Sequence, residues 1–342
     1  MCPGARLQEE IQRTPPPSLG SVHGGSALPA IHLGGSALTH IGRHAFDGCT
    51  ALATVHLEGC AALHEIRRGA FESCSALSHV DLTGCRAIAH LGASAFAGCH
   101  SLRALGPQRA RGVDLTGTAL ASLSDNAFGG CVRIGRIDLS RCQGLQRVGV
   151  RAFEGCTQLL HADFSGCTAL RGLDHHAFAN CNLLTHLLLG GCTRLEALAV
   201  AACDACTSLR LVHLHGCPSL ARIGDACFNE CTSLRVVDFT GTAITRIEDD
   251  AFHDCAMLQT VHLGGCPLHH VGARAFRNCE ALAAFDVAGG SGARHRGVGG
   301  VDHRGAHPAT RAPLTAARRL GCRRGRTTRQ GSDSYPLLPL SP

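Results

Sequence analysis

Apolar positions recur along this chain in a fixed register. One aromatic position is filled by Phe46, Phe71, Phe96, Phe128, Phe153, Phe178, Cys203, Phe228, Phe252 and Phe276. Most steps between these residues are 25 residues, the last two are 24, and the step from Phe96 to Phe128 is 32. Self-similarity at a short fixed period is the signature of a solenoid. Within each unit a Cys follows three residues after the Phe position, and a Leu or Ile six after it. A Val-x-Leu segment comes next, such as Val55-His56-Leu57, Val80-Asp81-Leu82 and Ile137-Asp138-Leu139. Alternation with β-branched residues predicts a short strand. A second Cys follows a Gly in most units, with Thr118 and Thr242 in its place in two. Leu or Ile residues three apart then lead to an Ala just before the next Phe. No stretch holds a helical period over several turns, so the pattern predicts strands joined by turns or short 3-10 segments, about ten turns in all.

The long step contains Gly106-Pro107-Gln108-Arg109-Ala110-Arg111-Gly112. An insertion confined to one turn is expected to loop out on one face and leave the stack intact. Ile31-His32-Leu33 lies 24 residues before Val55-His56-Leu57, so the array is expected to run over 18–287, after a disordered segment 1–17.

The run Leu-x-x-Ile-Gly-x-x-Ala-Phe-x-x-Cys-x-x-Leu at 38–52, repeated at 220–234 with Cys227 for the Ala, resembles the BspA-like leucine-rich repeat. The resemblance covers roughly 30–287. It implies a right-handed, β-rich leucine-rich repeat solenoid and a role in protein interaction or surface adhesion. Typical members carry a Pro after the strand, where this chain has Thr-Gly-Cys or Gly-Gly-Cys. That feature is similar to the cysteine-containing leucine-rich repeats of F-box proteins, although no F-box-like helical segment precedes the array.

Composition sharpens this picture at three points. All 32 basic residues are Arg, which excludes chemistry that needs a lysine, a P-loop or a Schiff base among them. Residues 1–17 hold no apolar stretch of the ~7–15 residues that a signal peptide requires, and no window approaches the ~18–20 apolar residues of a membrane span. Of 21 cysteines, 17 occupy the two fixed repeat positions. Equivalent positions in stacked turns lie ~4.7–4.9 Å apart with parallel side chains, whereas a disulfide needs its Cβ atoms nearer ~3.8 Å. Two ladders of reduced, buried thiols are therefore expected, and with them a cytoplasmic or otherwise intracellular setting. The alternative is a surface adhesin of the same family whose export signal is missing.

Residues 288–342 have no repeat spacing, and their ten Arg against Asp302 and Asp333 give a net charge of +8. This segment is expected to be a disordered tail. Its Arg runs offer a weaker, nucleic-acid reading. A last turn with no polar cap after Val287 would be free to pair with another copy of the chain.

Candidate chemistry is sparse. Cys203-Asp204-Ala205-Cys206 has zinc-knuckle spacing with Cys227 and Cys231 one turn on, but each of these residues also fills an ordinary repeat position. Neither a Ser/His/Asp order nor a Gly-x-Ser-x-Gly, His-Glu-x-x-His or glycine-rich phosphate motif stands out, so no catalytic residue, metal ligand or cofactor is assigned. His175-His176 and His269-His270 read as solvated turn residues. The informative polar residues are the outward ones of the strands: His56, Asp81, Asp114, Asp138, Asp163, His213, Asp238 and His262, with His161 and His186 beside them. Four consecutive Asp at strand spacing would repel one another and present a seat for a basic protein partner. The alternative is that Asp here only solubilises the face and keeps strands from pairing wrongly.

Overall fold

The structure is a computed structural model that describes residues 18–19, 28–107 and 112–286. Its secondary structure is parallel strands of two or three residues joined by turns, with no helix among the described residues. The chain coils as a solenoid of about ten turns. The Val-x-Leu segments form the first face, nine strands from Ala30–His32 to Leu211–His213 and then three more, Val236–Asp238, Thr260–His262 and Ala284–Asp286. Two-residue strands form the second face, an eleven-stranded sheet from Ser18–Leu19 to His270–Val271. The expectations for 1–17 and 288–342, and for a bare turn after Val287, lie outside the described residues.

The third side of each coil contains the Phe and consists entirely of turns. Its amides alternate in direction. Ala45, Asp47 and Cys49 donate back within their own turn, to Gly42, His44 and Phe46. His44, Phe46 and Gly48 donate to the next turn, to Arg68 (2.9 Å), Ala70 (2.7 Å) and Glu72 (2.8 Å). Hence the amides around each Phe find partners although this side is not a sheet. The Phe-position amide makes its bond to the next turn at every step from Phe46 to Phe252, at 2.7–2.8 Å, with Cys203 donating to Cys227. The acceptor is almost always the Ala that precedes the next Phe.

That bond fixes the separation of the turns and so the separation of the rings. Phe46, Phe71, Phe96, Phe128, Phe153 and Phe178 stack with centroids 5.2–5.3 Å apart. Phe228, Phe252 and Phe276 continue at 5.2 Å beyond the gap at Cys203. All but the terminal Phe276 are fully buried. Such pairs contribute ~0.5–1.5 kcal/mol each beyond the area they bury. Leu, Ile and Val columns stack beside them in one continuous core.

The insertion does not simply loop out. Phe96 and Phe128 still stack at 5.3 Å, and His90–Leu91 still pairs directly with Ser122–Leu123 on the second face. On the first face the same turn supplies two strands, Ala104–Gly106 and Val113–Asp114, which pair with each other through Leu105 and Val113. The first face thus gains one strand that the other sides lack. Glycine makes this step feasible. Gly106 and Gly112 have φ of 141° and 152°, and a Cβ on either would lie 2.2 Å from the Asp114 carbonyl oxygen or 2.1 Å from that of Arg136.

The gap in the aromatic stack is partly compensated. Cys203 replaces a Phe, and in the next turn Cys227 replaces the usual Ala; both are fully buried. Cys203→Phe alone is therefore expected to overpack and to cost ~1–3 kcal/mol. Together with Cys227→Ala it should restore at least wild-type stability. Urea denaturation of the two single variants and the double variant checks this: additive effects would show that the two sites do not share one space.

Candidate functional site

The first face alternates as its sequence predicts. In Arg136–Asp138, for example, Ile137 is buried while Arg136 and Asp138 reach solvent. The outward strand-end column runs His32, His56, Asp81, Gly106, Asp114, Asp138, Asp163, Leu188 and His213. The Gly106 strand separates Asp81 from Asp114, which corrects the expected run of four consecutive Asp. Asp114, Asp138 and Asp163 remain in register with one another, whereas Asp81 is set apart. Asp238 and His262 pair in the separate three-stranded sheet, beyond a break in the ladder after Leu211–His213.

These carboxylates have a local partner. Asp114 Oδ1 accepts hydrogen bonds from the Thr116 amide (3.0 Å) and hydroxyl (2.7 Å). Asp138 does the same with Ser140, at 3.2 and 2.7 Å, and Asp81 with Thr83, at 2.9 and 2.6 Å. Asp163 and Asp238 accept the amides of Ser165 and Thr240, each at 2.8 Å. An Asp that holds the amide two residues on is a turn-forming device. It shapes the corner where the strand enters its Gly turn and leaves the outer carboxylate edge available.

The imidazoles also meet one another. His32 and His56 lie ring on ring at 4.5 Å, whereas His161 and His186 approach to 4.9 Å with their planes tilted by 40°. Partial burial, followed by the nearby His186 and Arg136, pushes the His161 pKa down. His213 is exposed at the end of the nine-stranded sheet, and His262 is half-buried beside Asp238 in the three-stranded one.

Sequence reasoning missed the apolar part of this surface. Leu211 and Val236 are each 42% exposed, and Leu160 at 43% precedes the His161–Asp163 strand. Leu211 stands in register with His186. The available signal was position: each lies two residues before an outward His213 or Asp238, so alternation points both outward.

The second face differs electrostatically. There Arg147 pairs with Asp125 and Asp174, Arg171 with Glu196, and Glu248 with Arg222, Arg246 and His270. The hydrogen bond from Arg246, supported by Arg222 and His270, holds Glu248 below the usual carboxylate range. On the first face Asp138, with Arg136 at 3.4 Å, is the one column carboxylate ion-paired among the described residues.

The thiols form two ladders of donors. Each Cys after the Phe donates Sγ–H to the Phe-position carbonyl one turn back: Cys74 to Phe46, Cys99 to Phe71 and Cys131 to Phe96, all at 3.0 Å. Each Cys after the Gly donates to the strand-terminal carbonyl one turn back, as in Cys85 to Leu57 (3.0 Å) and Cys167 to Leu139 (3.1 Å). Thr118 and Thr242 direct their hydroxyls at carbonyls of their own turn instead, Leu115 and Phe239, each at 2.7 Å. Cys206 and Cys231 are ordinary members, donating to Phe178 and Cys203. Two of the four thiols in the zinc-knuckle spacing, Cys206 and Cys231, are thus engaged by backbone carbonyls as ladder members. Cys49 aside, the described cysteines form no disulfide.

The pattern of these turns decides the family. Residues 24–110, 113–207 and 202–290 match the BspA type leucine rich repeat region, in six copies. The chain belongs to the BspA type leucine-rich repeat family. Among solved structures it is similar to a leucine-rich repeat protein from Bacteroides ovatus (22% identity, 78% of this chain and 81% of that one, TM-score 0.38). It is also similar to a leucine rich cell surface protein from Faecalibacterium prausnitzii (20%, 77% and 80%, 0.37) and to the pneumococcal vaccine antigen PcpA (16%, 78% and 71%, 0.43). No curated protein matches the chain. No helix of the described residues is long and apolar enough to cross a membrane.

In this BspA-type array, burial pushes the Cys85, Cys156 and Cys192 thiols up to about 12, and those of Cys142 and Cys217 up to about 11. A group whose pKa is raised in the folded state keeps its proton longer there than in the unfolded chain. Its contribution is complete below the ordinary thiol value of ~8.5 and is lost as pH rises from there toward 11–12. The melting temperature is therefore expected to hold between pH 7 and 8 and to fall progressively above about pH 9. Replacing Cys142, Cys167 and Cys192 with Thr should flatten that fall. An equally steep decline in the Thr variant would mean that the thiols do not set it.

Proposed function

We propose that this protein is a non-enzymatic scaffold that captures a protein partner on the first face. The observation that carries this reading is the mixture of groups in its outward columns. Carboxylates outside any ion pair among the described residues (Asp114, Asp163, Asp238) and imidazoles (His161, His186, His213) share the face with exposed Leu160, Leu211 and Val236. Protein interfaces combine apolar anchors with a polar surround, and repeat arrays bind through extended faces of this kind. The charge contrast between the faces supports the choice. The second face is largely neutralised by Arg–carboxylate pairs, whereas the first presents acidic groups suited to a basic partner. His56 and His262 extend the surface toward its two ends, whereas Asp81, expected to point outward with them, is buried and adds little to it.

Asp114→Asn, Asp138→Asn and Asp163→Asn together remove the charge and keep the oxygen that holds each turn. Capture of partner from native lysate by the full chain should fall at least about tenfold in this triple variant, with its melting temperature within a few degrees of wild type. Leu211→Ser with Val236→Ser should weaken capture as well. Undiminished capture by both variants would place the binding surface elsewhere.

A further inference from the structure

We propose that His56, Glu58 and Asp81 form a binding site for a first-row divalent metal ion of the zinc or manganese class. His56 and Asp81 are register partners in adjacent strands of the first face. Glu58 lies two residues beyond His56, on the same side by alternation. One ligand atom from each, an imidazole nitrogen and two carboxylate oxygens, all lie within 4.8 Å of one another. Ligands around such an ion at ~2.0–2.2 Å sit up to ~4.3 Å apart, so side-chain adjustments of tenths of an ångström close the site.

Charge gives the independent reason. Asp81 is 4% exposed, the one buried Asp of its column among the described residues. Thr83 holds its Oδ1, which fixes the carboxylate without neutralising it. Among the described residues no Arg or His nitrogen lies within 4.0 Å of Asp81 or Glu58. Buried charges in proteins are paired or coordinate metals. Elsewhere this chain follows that rule: Glu248, whose side chain is 8% exposed, has three cationic partners within 3.2 Å.

The surroundings also organise the ligands. A Cβ at residue 34 would lie 2.8 Å from the Glu58 carboxyl carbon and Oε1, so Gly34 is what lets that carboxylate lie back against the previous turn. His32 stacks on His56 at 4.5 Å with planes 9° apart, which orients the imidazole. The other grouping of this composition is His44, Asp47 and Glu72. It is already satisfied, with His44 Nδ1 at 3.1 Å from Asp47 and 4.0 Å from Glu72.

One nitrogen and two carboxylate oxygens suit zinc or manganese, whereas calcium favours six to eight oxygens. Glu58 is exposed, so water or another ligand can complete the coordination. This inference stands whether or not the face captures a protein.

The test is calorimetric titration of the full, chelator-stripped chain with zinc and manganese chlorides, with calcium chloride as control. One ion per chain is expected, with zinc or manganese bound at least tenfold more tightly than calcium. His56→Ala, Glu58→Gln and Asp81→Asn should each weaken binding tenfold or more, and His44→Ala should not. Asp81→Asn keeps the acceptor for Thr83, so its effect reports the charge rather than misfolding. Binding that survives in Glu58→Gln and Asp81→Asn would overturn the proposal. So would absence of binding.

Discussion

A backbone amide at the Phe position reaches the carbonyl of the next turn, and everything else in this molecule is spaced by that bond. It holds successive turns at a β-like separation on a side that contains no strand. Once that separation is set, each side chain meets its own equivalent above and below. Phe then falls on Phe at 5.2–5.3 Å, thiol on carbonyl, and imidazole on imidazole. A residue's identity is thus selected for how it stacks on itself. Phe, Leu and Cys do this well. Ala before the Phe keeps the accepting carbonyl close.

This explains why so much of the fold was legible in the sequence. A constraint that repeats ten times averages out local exceptions, and register alone placed Phe, both Cys columns and the inward residues of each Val-x-Leu segment. The 106–112 segment was only half legible. Its confinement to one turn followed from the unbroken Phe register. The extra strand depended on the conformations of Gly106 and Gly112, which no periodicity encodes. The turns showed the same limit: 3-10 segments and turns share i to i+3 bonds, and only the alternation of amide direction separates them.

The functional face was legible as a column and illegible as a surface. Asp-x-Thr or Asp-x-Ser at the strand end reads as charge, yet the same carboxylates shape the turns through Thr116, Ser140 and Ser165. Leu211 and Val236 carry no charge to mark them as part of a face, and Leu and Val usually are core. Position relative to an outward neighbour overrides that tendency. The isolation of Asp81 came from the strand added at Gly106, and it separates a carboxylate beside His56 and Glu58 from the acidic run that follows.

Hydrogen exchange at the Phe-position amides tests this account most directly. Phe96, Phe128, Phe153, Phe178 and Cys203 should share one high protection, because the same inter-turn bond crosses both the long turn and the gap in the aromatic stack. Protection that falls sharply at Phe96 or at Cys203, relative to the others, would show that the stack is interrupted there and would contradict the account.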